Sequence, residues 1–372
     1  MPPDKDHQRE YLTRQSRVRG MLLGLALGDT VGAARGKVPA AGPLRAGVST
    51  QLACFTVEGS IRALVRGSHK GICHPPSVIL HAYCRWAALQ GIEVDKMRRR
   101  WSAGTADKTW PDGWLAGVPA LTERRGSAPS TVTALSRIDE GQEHMATKSR
   151  GCHALTRSLP LAAIGPAAIA QAGEIAALTH GDAAAQSATV HATALLHHCL
   201  TSTFMEGDRP GNHSEPTARA VLQAGIAGLP SADRPDTGQE HAPLQAALRH
   251  AVEQPADVTR LARLAPDATA PSALLGGLYA AVSFPARADI GAALNFAAAA
   301  PDGDSVACVT GALLGAVHGA DALPVDLVSR HELAWVLDTL ARDLLAELTD
   351  SPSGSEYVPG WDPHWWSRYP GW

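Results

Sequence analysis

The chain has 372 residues, of which 45% are hydrophobic, 19% charged and only 5% aromatic. That supplies one large core or two ordinary ones. A formal net charge of −3 excludes a strongly basic surface, and with it a nucleic-acid or anionic-membrane partner. Six cysteines at 54, 73, 84, 152, 199 and 308 make no C-x-x-C pair. This argues against a zinc site or a disulfide framework and for a reducing cytoplasm.

Residues 1–16 are polar, without the apolar run of a signal peptide, and are expected to be a flexible N-terminal segment. Residues 17–34, RVRGMLLGLALGDTVGAA, read as a helix with glycines at 20, 24, 28 and 32. Glycine costs a helix interior about 1 kcal/mol relative to alanine. Glycines at this spacing lie near one face and predict a groove for another backbone. Helices are expected over 52–66 and 77–90, and a structured loop over 101–115 around Trp101, Trp110, Pro111, Gly113 and Trp114. Residues 158–200 read as two helical stretches about the break Thr179-His180-Gly181-Asp182. Their most apolar part, Leu159 to Ala172, carries Pro160 and Pro166 and is too short to span a bilayer.

Residues 202–216 and 228–242 read as surface loops, and 272–283 as a helix. Residues 305–319, SVACVTGALLGAVHG, repeat the glycine stripe at 311, 315 and 319 and are expected to share one tightly packed core with the first helix. Residues 329–348 read as a helix opened by a capping box of Ser329 and Glu332, with an apolar stripe of Leu333, Val336, Leu337, Leu340 and Leu344. The tail from Tyr357 to Trp372 holds four of the nine tryptophans and is expected to pack on its own domain rather than strap a partner. Alanine dominates the apolar set, and alanine is the best helix former. Together these readings predict an all-α, single-domain helical bundle over 17–350, of about a dozen helices, with the tail 351–372 packed upon it.

Several segments stand out as chemistry. Asp302-Gly303-Asp304-Ser305 places oxygen donors just before a helix, where they either cap it or hold a hard cation. His180 is either a packed histidine or a cleft residue. Upstream stand Gly24-Leu25-Ala26-Leu27-Gly28-Asp29-Thr30-Val31-Gly32 and Gly151-Cys152-His153-Ala154-Leu155-Thr156-Arg157-Ser158-Leu159-Pro160. Downstream of Thr179-His180 and Asp302-Gly303-Asp304-Ser305 comes Gly311-Ala312-Leu313-Leu314-Gly315-Ala316. In this order, over roughly residues 17 to 345, the chain resembles the ADP-ribosylglycohydrolases.

The resemblance implies an all-α fold and two divalent metals, magnesium or manganese, bound by oxygen ligands. It also implies hydrolysis of the glycosidic bond between ADP-ribose and a modified side chain. The family's ligands come from a T-D-D-T segment, from the late D-x-D-(T/S), and from a glutamate after the first motif. Here Asp302, Asp304 and Ser305 match the late element as a metal-site remnant. Gly47-Val48-Ser49-Thr50-Gln51-Leu52 stands where T-D-D-T-Q-M is expected, and Arg35 stands at the glutamate. Two carboxylates do not neutralise two dications, and a guanidinium nearby disfavours them further. His153 replaces a glycine, and Ala265-Pro266-Asp267-Ala268 stands where a G-x-G-W segment is expected. Asp29, in the helical motif, reads as a structural hydrogen-bonding group.

The cleft is expected to be lined by Asp29, Arg35, Ser49, Thr50, Gly151, Cys152, His153 and His180. The leading expectation is a hydrolytically inactive relative with a ligand-binding or regulatory role, taking an ADP-ribose-like small molecule and no cofactor. The alternatives are an active hydrolase with a reduced magnesium or manganese site on Asp302 and Asp304, and a partner-binding protein with a closed cleft. Arg35 is expected either to bridge Asp302 or Asp304 in place of the metals or to point to solvent.

Overall fold

In a computed structural model of the chain, residues 5–101, 110–138, 145–202, 217–229 and 241–371 are described. Among them the secondary structure is helical throughout, with isolated bridges but no strand. No helix among the described residues is long and apolar enough to cross a membrane.

The two glycine stripes explain the centre of the molecule. The Lys5–Ala33 and Gly303–His318 helices run antiparallel, so that Gly20 meets Gly315, Gly24 meets Gly311, Gly28 meets Ala307 and Gly32 meets Gly303. A Cβ on Gly24 would stand 2.1 Å from the Gly311 carbonyl oxygen, and one on Gly311 2.0 Å from that of Gly24. These backbones touch, and all four glycines of the expected central contact, 24, 28, 311 and 315, are buried. The Ala270–Ser283 helix packs on the other flank of the late helix, with Gly277 against Val309. The Val48–Lys70 helix lies between Pro75–Leu89 and Ala334–Thr349. The expected break after residue 178 separates Pro166–Ala177 from Ala183–Thr201, which Asp182 caps through the Ala184 N–H at 2.9 Å.

Three expectations need correction. The first helix begins at Lys5 rather than 17, so the polar segment expected to be flexible forms its opening turns from residue 5 on. It is held there by Arg17, which donates to the Ser202 carbonyl at 2.7 Å, and by the Ala320 N–H on Ser16 Oγ at 3.2 Å.

Residues 329–348 are not one capped helix. Val325–Arg330 and Ala334–Thr349 are separate, with a bend between them. Ser329 donates to the Asp326 carbonyl, while Glu332 reaches away to accept from the Ala46 N–H at 2.8 Å and from Arg125 at 3.1 Å. A charged partner and a buried N–H elsewhere outcompete the local cap. The apolar stripe from Leu333 to Leu344 is buried as its spacing requires.

The third correction concerns the tail, which packs at residues 352–354 and again from Trp365 on, with an exposed stretch between them. Trp365 and Tyr369 are buried, and Tyr369 donates to Asp343 at 2.6 Å beside Arg368 on the same carboxylate. Tyr357 and Trp361 remain exposed. Residues 203–216 of the first expected loop and most of 228–242 lie outside the described residues, as do 102–109 of the expected tryptophan loop.

Candidate functional site

The close backbone contact of the two striped helices fixes the ends of both beside one cleft of about 630 Å3. Near the C-terminal end of the first helix, Asp29 turns its carboxylate onto the start of the Val48–Lys70 helix. It accepts from the Thr50 N–H at 2.9 Å and from the Thr50 hydroxyl at 2.6 Å. Gly47, the residue at the N-cap of that helix, offers no side chain, and a Cβ there would stand 2.3 Å from Asp29 Oδ1. Asp29 therefore caps a helix other than its own, filling the space a side chain at 47 would take. Burial, partly offset by these hydrogen bonds, raises its pKa to about 6.

The late helix brings in Asp302 and Asp304. Asp302 occupies the N-cap position, but its carboxylate makes no bond to a backbone N–H; it accepts from the Ser305 hydroxyl instead. Asp304 accepts from the Ser305 N–H at 3.0 Å. Burial raises the pKa of Asp302, the Ser305 hydroxyl lowers it and Asp304 raises it again.

Across the cleft sit Gly151, Cys152, His153 and His180. Burial above all, with Asp302 and Asp304 alongside, pushes the Cys152 thiol well up, so it is no thiolate nucleophile near neutral pH. Burial holds His153 neutral, down to about 4. His180 is lowered by burial first and by the nearby Arg157. Arg157 donates to the Thr179 hydroxyl at 2.6 Å, and that hydroxyl lies 2.7 Å from His180 Nδ1. The Thr179 hydroxyl therefore fixes the ring of the neutral His180 through Nδ1. Nε2 stands 3.2 Å from where a Gly151 Cβ would be. The cleft thus brings a neutral imidazole, His180, together with the carboxylates of Asp29, Asp302 and Asp304.

The other expected residues lie elsewhere. Ser49 is buried and accepts from the Thr156 hydroxyl at 3.0 Å. Thr50 is committed to Asp29, and Ser305 to Asp302. Arg35 makes no ion pair with Asp302 or Asp304. Its guanidinium donates to the carbonyls of Ala300 at 2.6 Å and Pro301 at 2.8 Å. It ends the first helix in the left-handed region (φ 52°), and from there the side chain reaches the turn before the late helix. The expected bridge is replaced by a clamp on that turn's backbone. Among the described residues no group of three or more His, Cys, Asp or Glu is arranged to hold a metal ion.

Sequence reasoning missed Arg45, Val48 and Arg125 as cleft residues. Arg125 belongs to the short run Arg124-Arg125, and a short basic run of this kind is usually solvated surface. The arginine of the second motif, Arg157, is not a cleft group: it is buried against the Tyr83 ring at 4.4 Å.

The sequence model of the ADP-ribosylglycohydrolase family matches residues 10–353. The chain belongs to the ADP-ribosylglycohydrolase family. No curated protein matches it in sequence. Among solved structures it is similar to one titled "ADP-ribosylglycohydrolase-related protein complex", at 22% identity and a TM-score of 0.53, covering 90% of this chain and 98% of that one. At that identity the likeness speaks for the fold alone. Within this ADP-ribosylglycohydrolase fold, the four motif segments that carried the resemblance converge on one cleft through residues 29, 151–153, 180, 302 and 304.

Proposed function

We propose that this ADP-ribosylglycohydrolase is a binding member of its family rather than a hydrolase, and that its cleft takes an ADP-ribose-like small molecule. The observation that carries the reading is the state of the acid wall. Asp29 is tied to Thr50, Val48 and Ser49 bring no carboxylate, and only Asp302 and Asp304 remain to face a cation. A cleft with two carboxylates on one side and Arg45 and Arg125 also lining it holds two dications poorly. It keeps hydrogen-bonding groups suited to hydroxyls: the His180 imidazole and the Asp304 carboxylate.

The test is a pair of measurements on the purified chain. Calorimetric titration with ADP-ribose in the presence of a chelator is expected to show binding. Release of ADP-ribose from ADP-ribosylated arginine or serine peptides, with magnesium or manganese at millimolar concentration, is expected to stay at background. Metal-stimulated release that is lost in Asp302→Ala or Asp304→Ala overturns the reading and makes the chain a hydrolase with a reduced site.

A further inference from the structure

Beside the main cleft lies a second cavity of about 270 Å3, and the two share Val48, Arg125, Gly126, Ser127 and Pro129. The 125–129 segment therefore divides them. It leads into the Pro129–Ser136 helix, whose first two residues, Pro129 and Ser130, line the main cleft. No side chain caps that helix: its N-cap residue is Ala128, and Pro129 has no N–H to offer. Among the described residues nothing accepts from the Ser130 and Thr131 N–H groups. An uncapped start of this kind carries free donors and a partial positive charge.

Water alone can satisfy a helix start, so a second feature at the same place carries the argument. Arg125 lines both cavities, and its side chain is only 10% exposed. Its two carboxylate partners, Glu123 at 2.8 Å and Glu332 at 3.1 Å, both meet Nη2. Its Nε is buried and has no acceptor. A buried donor of a charged group left unpaired costs free energy that a bound acceptor recovers. Glu332 also accepts from the Ala46 N–H at 2.8 Å, which ties Arg125 to the segment carrying Arg45, a further residue of the main cleft. Arg124 lines the second cavity. Arg45, Arg124 and Arg125 outweigh Glu123 and Glu332 here, whereas Asp29, Asp302 and Asp304 make another part of the same cleft acidic.

We propose that the 125–130 segment is an anion subsite of the cleft, where Arg125 and the uncapped start of the Pro129–Ser136 helix hold a phosphate-type oxyanion of the bound small molecule. Free backbone N–H groups, a helix dipole and a guanidinium each favour an oxyanion over a neutral group and disfavour a cation. The ligand is then two-ended, with hydroxyls for His180 and the aspartates and a phosphate for this segment. Glu123 and Glu332 partly neutralise Arg125, and the oxyanion competes with them for it. The inference deepens the binding reading above and rests on it.

Inorganic phosphate is the probe, titrated by phosphorus NMR into the full chain and into Arg125→Gln, Ser130→Asp and Glu332→Gln, with ADP-ribose titrated separately. Phosphate is expected to bind the native chain and to lose about tenfold or more in affinity in Arg125→Gln and in Ser130→Asp. Ser130→Asp puts an acid in the first turn of the helix, which favours the helix, so a loss of binding there is not a loss of fold. Glu332→Gln removes a competing charge while keeping an acceptor for the Ala46 N–H, and is expected to bind phosphate at least as tightly as the native chain. No phosphate binding, or undiminished binding in Arg125→Gln or Ser130→Asp, overturns the subsite. Equal losses in Arg125→Gln and Glu332→Gln overturn it too, because Arg125 then serves only as the partner of Glu332. ADP-ribose binding, undiminished in Ser130→Asp and without phosphate binding, leaves the cleft reading standing and removes the anion subsite alone. Phosphate binding without ADP-ribose binding does the reverse.

Discussion

Asp29 holds Thr50 by two bonds, one to its backbone N–H and one to its hydroxyl, across 21 residues of chain. The partner helix cannot cap itself, because its N-cap residue is Gly47, and Gly47 is required because the carboxylate already fills the space of a side chain there. Asp29→Ala should therefore leave a buried N–H and hydroxyl unpaired and cost about 2–3 kcal/mol. Asp29→Asn, which keeps an acceptor, should cost less. Gly47→Thr should destabilise the native chain by overpacking but lose most of that penalty in an Asp29→Ala background. Urea unfolding of the four members of that cycle measures the coupling. Additive effects would show that the two positions do not compete for one space.

The contact of Gly28 with Ala307 predicts an unusual cost for a single methyl group. A Cβ on Gly28 would stand 1.9 Å from the Ala307 carbonyl oxygen, a backbone atom that no side-chain rotation can move. Gly28→Ala, normally stabilising within a helix, should destabilise by about 3 kcal/mol or more, because the whole late helix must shift. Gly117 is the control: it is exposed, and nothing lies within 4 Å of its added Cβ. Gly117→Ala should change stability by less than about 0.5 kcal/mol. Equal melting temperatures for Gly28→Ala and the parent would remove the close contact from the account of the core.

The stripes that make this contact were legible because a backbone-to-backbone crossing admits only glycine or alanine, and a spacing of four residues marks one helix face. The cleft was legible where motif residues sit near the ends of such fixed helices, as Asp29, Asp302 and Asp304 do, while His153 and His180 line it from a single helical turn and from the break after residue 178. What stayed hidden depended on partners far along the chain. Ser329 and Glu332 have the spacing of a cap, but Glu332 answers to Ala46 and Arg125, some two to three hundred residues away. Arg35 shows a like gap. Its position told the residue type facing the motif, while the left-handed helix end that aims it at the Ala300 and Pro301 carbonyls is a backbone event that the sequence does not spell out.

His331 makes acid stability readable. It sits buried at the bend before the Ala334–Thr349 helix, where its Nδ1 accepts from the Leu333 N–H at 3.2 Å and its Nε2 has no partner. Burial lowers its pKa from 6.5 to about 4. Below pH 6.5 the unfolded chain takes up a proton that the folded chain refuses. The neutral ring's contribution is thus complete above 6.5 and is lost as pH falls towards 4, by about 3 kcal/mol in all. His331→Asn offers the Leu333 N–H an acceptor that does not titrate in this range. The gap in stability between native and variant chains should shift by up to that amount in the variant's favour between pH 7 and pH 4. Parallel pH profiles from chemical unfolding would place the titration elsewhere.

The proposed shortage of metal ligands is tested at one position of the cleft. Val48 lines the same cleft as Asp302 and Asp304, so Val48→Asp adds a carboxylate to that cleft. Ser49 does not line it; its hydroxyl is buried on Thr156, and Ser49→Asp would bury a charge beside an alcohol instead. Arg35 faces neither acid, so Arg35→Glu removes the clamp on the Ala300 and Pro301 carbonyls without supplying a ligand. Val48→Asp alone should bind one manganese ion about tenfold or more tightly than the native chain, read by manganese electron paramagnetic resonance. Adding Arg35→Glu should bring no further gain, because the turn that carries Asp302 is then less firmly held. Tighter binding in the double variant would mean that residue 35 reaches the cations after all. Binding in the native chain as tight as in Val48→Asp would mean that Asp302 and Asp304 already suffice, and the depleted acid wall would no longer argue against hydrolysis.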